Sequence, residues 1–126
     1  MDFKSSKGIF LQIADSLCRQ ILDGTLKPGD RVPSVRDLAA EFEVNRNTVM
    51  RTYTNLENAG IFENKRGIGF FISENATALV QEVERTDFFT HELPEFLLKV
   101  KLLRLNSSDL IDLLKVIHYN DQNEEK

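Results

Sequence analysis

Between Val44 and Gly60 the run VNRNTVMRTYTNLENAG brings arginine, asparagine and threonine together at helical spacing. Wound as an α-helix, it sets Val49, Tyr53 and Leu56 on one side and Asn47, Met50, Arg51 and Thr54 on the other, with no acid among the latter. Asn45 stands where an N-cap belongs, and Arg46, Asn47 and Thr48 form the first turn. Unclaimed backbone N–H groups and guanidinium groups therefore share one end of the helix. Guanidinium forks match guanine O6 and N7, whereas hydroxyls and backbone N–H groups suit phosphate oxygens. This is a helix end fit for phosphates and base edges; the alternative is an ordinary surface helix carrying scattered charge.

Other chemistries find little material. His91 and His118 are the only histidines, and neither has the spacing of a metal site or a catalytic triad, so no metal or cofactor is expected and the chain reads as a non-enzyme. Cys18 is the only cysteine and lies at four-residue spacing from Ala14 and Leu22, which excludes an internal disulfide and suggests a small buried side chain. Gly67-Ile68-Gly69 is too short for a nucleotide-binding loop. Apolar runs are broken by charge well before the roughly 18 residues of a membrane span, and no signal-peptide core is present, so the expected compartment is the cytoplasm.

The net charge of −4 argues against a protein that coats nucleic acid indiscriminately, but the charge is unevenly placed. Residues 1–72 carry 10 Lys and Arg against 9 Asp and Glu, while residues 73–126 carry 6 against 11. Local cations in the first part would do the binding, and the acidic second part would repel DNA.

The elements that must position these residues follow in order. In GIFLQIADSLCRQILD, Ile9, Ile13, Leu17 and Ile21 recur four apart, with Phe10, Ala14 and Leu22 widening the stripe, and Gly24 stops the helix. Lys27-Pro28-Gly29-Asp30 reads as a turn before a short extended Arg31-Val32. Ser34 with Asp37 opens a short helix in which Val35, Leu38, Ala39 and Phe42 face inward and Arg36 points away. A break at Glu43-Val44 leads to the run described first, so two short helices with a tight turn form a helix-turn-helix. IFENKRGIGFFIS then reads as a β-hairpin whose tip, Lys65-Arg66-Gly67, can reach a phosphate or the minor groove, or simply be a solvated basic turn. The predicted fold class is mainly α with a small β-hairpin: a winged helix-turn-helix over residues 1–73, followed by a helical dimerisation region over 74–126.

The run from Ile9 to Ile72 resembles the DNA-binding domain of the GntR family of bacterial transcription regulators. The matching positions include Gln12-Ile13, Ile21-Leu22, Gly24, Pro28-Gly29-Asp30, Pro33-Ser34, Arg36, Leu38-Ala39, Val44, Arg46, Thr48-Val49, Leu56, Gly60 and Gly67-Ile68-Gly69. The resemblance implies DNA contacts from Arg36, from Arg46, Asn47 and Thr48, from Arg51, and from Lys65, Arg66 and Gly67. Ser34 and Met50 join this expected set, Ser34 through its hydroxyl and Met50 either against a thymine methyl or as a solvated side chain. For Arg36 and Arg46 the competing role is a local ion pair with a neighbouring acid. Met50, Asn64 and Ile68 stand where many members carry basic residues, and Glu43 replaces a common turn glycine. Fewer phosphate contacts imply weaker nonspecific binding and a shallower salt dependence.

Beyond the hairpin, Ala76, Leu79, Val80 and Val83 make one helical stripe. Pro94 then allows two readings: a new helix capped by Thr90, or one continuous helix disturbed at the proline. Phe96, Leu97, Val100 and Leu103, then Leu110, Leu113, Leu114 and Ile117 behind an Asn106–Asp109 cap, supply more apolar surface than two or three helices can close over. A homodimer through a shared helical bundle is therefore expected, carrying two recognition helices to two half-sites of a pseudo-palindromic operator. The short tail also resembles the YtrA-like subfamily, which implies a compact dimerisation region and control of a transporter operon, with repression the action that the family resemblance implies; a small-molecule effector stays unknown. The competing function class is a winged-helix protein-interaction module without specific DNA binding.

Overall fold

The computed structural model describes residues 8–123. These fall into two compact units, one running to Glu84 and the other beginning at Arg85. In chain order the elements are α1 (Ile9–Leu22), α2 (Val35–Phe42), α3 (Arg46–Asn58), β1 (Phe62–Lys65), β2 (Gly69–Ile72), α4 (Ala76–Asp87), a π-helical turn (Phe88–Glu92), α5 (Leu93–Leu102) and α6 (Ile111–Asn123). The mainly helical architecture with one antiparallel hairpin is the winged helix-turn-helix that the pattern indicates.

The first unit is built on the spacing of its apolar residues. Ile13, Leu17 and Ile21 of α1 are buried at four-residue intervals and meet Val49, Tyr53 and Leu56 of α3, together with Leu38 and Ala39 of α2. Phe10 and Ala14 are half-buried, whereas Ile9 and Leu22, expected on the same stripe and standing at the two ends of α1, are exposed. Phe62 and Phe70 close the core with Tyr53: both rings meet the tyrosine edge-on at 5.2 Å between centroids. Thr52 is fully buried among these apolar groups, and its hydroxyl donates to the Thr48 carbonyl at 3.0 Å, which satisfies it within its own helix.

The hairpin pairs Phe62 with Ile72, Glu63 with Phe71, Asn64 with Phe70 and Lys65 with Gly69. A third extended segment lies along β2: the Ile72 N–H donates to the Asp30 carbonyl and the Val32 N–H to the Phe70 carbonyl, each at 2.8 Å, and Arg31 bridges Phe71. Pro33 has no N–H with which to continue this ladder and instead precedes the Ser34 cap of α2. After β2, α4 sends Ala76 and Val80 into the same core. The first unit runs on to Glu84, and those two buried side chains belong to it.

In the second unit the helical path through Pro94 is unbroken. Asp87 and Leu93 both hold right-handed helical angles, and the Leu93 N–H donates to the Phe88 carbonyl, five residues back. A straight α-helix would drive the Pro94 ring into the Thr90 carbonyl; the wider turn immediately before it relieves that clash. Thr90 is inside this turn and caps nothing. α5 ends in a left-handed residue, Arg104 (φ 51°), with the Leu105 N–H returned to the Val100 carbonyl at 3.0 Å. Asn106 and Asp109 cap one another reciprocally: the Asn106 side chain accepts from the Asp109 N–H at 3.0 Å, and the Asp109 carboxylate accepts from the Asn106 N–H at 2.9 Å. The pair closes a tight turn ahead of α6, whose first helical residue is Ile111.

No residue of α5 or α6 is buried. Leu93, Val100, Leu105 and Leu110 are half-buried, while Phe96, Leu97, Leu103, Leu113, Leu114 and Ile117 are exposed, Leu103 at 67%. Among the described residues no helix is long and apolar enough to cross a membrane.

Candidate nucleic-acid interface

α2 and α3 present their N-terminal ends through side-chain caps. The Ser34 hydroxyl oxygen accepts from the Asp37 N–H at 3.0 Å, which places Arg36 in the exposed first turn of α2. At the start of α3 the Asn45 side-chain oxygen accepts from both the Thr48 N–H (2.9 Å) and the Thr48 hydroxyl (3.2 Å). Arg46 and Asn47 are left exposed, and their backbone N–H groups meet no acceptor among the described residues. Thr48 is half-buried with its hydroxyl hydrogen already committed to the cap, so a phosphate would have to compete with Asn45 for it.

Between the two helices an open hollow of about 570 Å³ is lined by Arg36, Ala39, Ala40, Glu43, Val44, Asn45 and Arg46. Arg36 and Arg46, ten positions apart in sequence, are thus brought to one surface together with Ala39 and Ala40. Glu43 lies on the same hollow, yet neither arginine forms an ion pair with it or with any other acid among the described residues. Both guanidinium groups therefore keep all their donors for an incoming anion or base edge.

Farther along α3, Met50 and Arg51 face outward, Met50 at 44% exposure. The Arg51 guanidinium rests 5.3 Å from the centre of the Phe10 ring of α1, which restricts its rotamers without neutralising its charge. On the wing, the Lys65 ammonium is 4.4 Å from the centre of the Phe71 ring. Arg66 and Gly67 are exposed at the tip, where Gly67 takes φ 80°. A further cation that the sequence pattern does not single out, Arg31, reaches the wing as well: its Nη2 donates to the Ile68 carbonyl at 2.7 Å. Only the alternation of Arg31 with buried Val32 hints at an outward side chain, and nothing local indicates its partner.

Two ionisable groups of this unit, the buried Tyr53 and the half-buried Cys18, serve packing. Burial raises the Tyr53 phenol far above its ordinary range, helped by the charges of Glu41 and Asp37. Burial, with Glu84 and Asp15 adding to it, pushes the Cys18 thiol up to about 11, so at neutral pH it is an inert thiol. Among the described residues no group of three or more His, Cys, Asp or Glu side chains is placed to hold a metal ion.

Comparison with known proteins fits this geometry. Residues 10–72 match the family described as bacterial regulatory proteins, gntR family. The HTH-type transcriptional regulator YhcF of Bacillus subtilis is 42% identical over 114 residues, covering 90% of this chain and 92% of that protein. The HTH-type transcriptional repressor YtrA of the same organism is 44% identical over 86 residues, or 68% of this chain and 66% of that one. Among solved structures, a GntR family transcriptional regulator from Listeria monocytogenes superposes with a TM-score of 0.69 at 31% identity, covering 91% of this chain and 97% of the other.

Proposed function

This chain belongs to the gntR family, whose members are DNA-binding transcription regulators and not enzymes, and we propose that it is a homodimeric repressor acting in the cytoplasm on a pseudo-palindromic operator. The observation that carries this reading is the hollow between α2 and α3, where Arg36 and Arg46 stand unpaired beside the capped start of α3. In this reading α3 enters the major groove, Arg46 and Arg36 take guanine edges or phosphates, and Asn47, Met50 and Arg51 read or flank the same half-site. Ser34 supplies a polar contact to the backbone, Thr48 does so by exchanging its hydroxyl's bond to Asn45 for one to a phosphate, and Lys65, Arg66 and Gly67 of the wing lie along the neighbouring minor groove.

Through a shared bundle the tail would bring a second recognition helix to the second half-site. Six exposed side chains of α5 and α6 and their flanks, Phe96, Leu97, Leu103, Leu113, Leu114 and Ile117, leave an apolar surface that a second copy would cover, with Val100 and Leu110 beneath it. Repression is supported by the similarity to YtrA, a transcriptional repressor, and a transporter operon is the target that the subfamily resemblance implies.

Selection of bound fragments from a random double-stranded DNA pool tests the proposal. The expected outcome is enrichment of a two-fold symmetric sequence with half-sites about one helical turn apart. Recovery of unenriched sequence, with binding that ignores salt, would instead favour a protein-interaction role.

A further inference from the structure

Arg31 lies outside both helices of the helix-turn-helix, on the extended segment that borders β2. Its guanidinium crosses to the wing and donates from Nη2 to the Ile68 carbonyl at 2.7 Å, a charge-assisted bond spanning 37 positions of sequence. Gly69, the next residue, has φ 141°, and a side chain there would begin 3.3 Å from both Nε and Nη2 of Arg31. A Cβ at Gly69 would crowd the planar fork, which would have to give by a few tenths of an ångström to keep its place against the wing backbone. The segment carrying Arg31 is itself anchored, through the Val32 N–H to the Phe70 carbonyl and the Ile72 N–H to the Asp30 carbonyl. Arg31 has no acidic partner among the described residues.

The tip it grips has little else to hold it. Arg66, Gly67 and Ile68 are all exposed, and the turn is closed by one backbone hydrogen bond, from the Ile68 N–H to the Lys65 carbonyl at 2.8 Å. A three-residue turn containing glycine at φ 80° samples many conformations unless something removes them.

We propose that Arg31 is the positioning residue of the wing: by clamping the Ile68 carbonyl against the Gly69 backbone, it holds Arg66 in the presentation that meets DNA. The inference rests on the DNA-binding role proposed above, since it assigns Arg31 to an act of the same interface. Arg31 acts through the wing and not as an independent contact. Its loss leaves the recognition helix untouched and returns the ordering cost of the tip to the binding step.

A double-mutant cycle on the full chain separates these possibilities, with Arg31→Gln, Arg66→Ala and the combination titrated against a DNA fragment selected by the wild-type protein. Each single variant is expected to bind about tenfold more weakly, and Arg31→Gln is expected to cost almost nothing further once Arg66 is gone. Additive losses, or an Arg31→Gln variant that binds as wild type, would overturn the proposal. A DNA-free readout accompanies it: in the free protein, Arg31→Gln should shift the backbone amide resonances of Gly67, Ile68 and Gly69 while leaving those of Asn47 and Met50 in place. Unmoved wing amides would overturn the clamp whether or not any DNA is bound. A wild-type protein that selects no DNA, in contrast, would refute the proposed function while the amide experiment still decides the clamp.

Discussion

The Tyr53 hydroxyl, at the buried centre of α3, donates a 2.6 Å hydrogen bond to the carbonyl of Pro33, the residue just before the cap of α2. One side chain thereby ties the helix carrying Arg46 and Arg51 to the start of the helix carrying Arg36. Its ring fills the core against Phe62 and Phe70 while its polar end sets the junction between α2 and α3.

Replacing Tyr53 by Phe keeps the ring and leaves the Pro33 carbonyl without its donor, which should cost about 1 kcal/mol of stability. Burial of the phenol also gives stability a pH dependence. Burial raises the folded-state pKa above the ordinary value of 10.0, so the unfolded chain releases the phenolic proton first as pH rises. The contribution of Tyr53 is therefore complete below pH 10 and declines as pH climbs toward the folded-state value. Thermal melts of wild type and Tyr53→Phe across this alkaline range should converge; parallel curves would contradict the assignment.

Glu43 ends α2 in the left-handed region at φ 56°, returning the Val44 N–H to the Ala39 carbonyl at 3.0 Å. Gly60 ends α3 in the same way, with φ 82° and the Ile61 N–H bonded to the Leu56 carbonyl at 2.9 Å. A Cβ in this conformation is strained by about 1–2 kcal/mol, offset in part by the backbone entropy that glycine loses. Glu43→Gly should therefore raise stability by roughly 0.5–1 kcal/mol, measured by denaturant titration. A destabilised Glu43→Gly protein would show that the glutamate side chain holds the turn by contacts of its own.

The legible and the hidden parts of this protein differ in how far apart the interacting residues lie. Ile13, Leu17 and Ile21, and likewise Val49, Tyr53 and Leu56, are buried as their helical spacing indicates, because one local period decides which face packs. Asn45 and Ser34 cap the helices they precede, since a cap needs only the residue three positions on. Pro94 was compatible with two backbones, and the π-helical turn that settles it depends on steric relief that no spacing rule encodes. Arg31 and Thr52 were invisible as working residues, the first because its partner lies across the fold, the second because its hydroxyl is satisfied inside a buried helix face. The helical pattern of Ala76 and Val80 was plain, but not that it would join the core of the first unit.

Leu103→Asp and Leu114→Asp test the tail. Both side chains are exposed in the single chain, at 67% and 55%, so a carboxylate there costs the protomer little. Buried at a shared seam it would cost several kcal/mol, of the order of 3 or more. Sedimentation should give a mass of two 14.5 kDa chains for the wild type at micromolar concentration and one for each variant. A monomeric wild type would contradict the shared bundle.

Met50 is the apolar residue on the otherwise polar outward face of α3. Sites selected by Met50→Ala should differ from those of wild type at one base pair per half-site, where a thymine methyl is no longer favoured. Identical preferences would return Met50 to the role of a solvated side chain.

The decisive experiment is a fluorescence titration of wild type and Arg46→Ala against the selected operator, with folding of the variant verified by its melting curve. Loss of a guanidinium that reads a base edge should weaken binding by about 1–3 kcal/mol, roughly 5- to 150-fold, with a smaller effect on unrelated DNA. A folded Arg46→Ala protein that binds the operator as tightly as wild type would contradict the reading of α3 as the recognition helix.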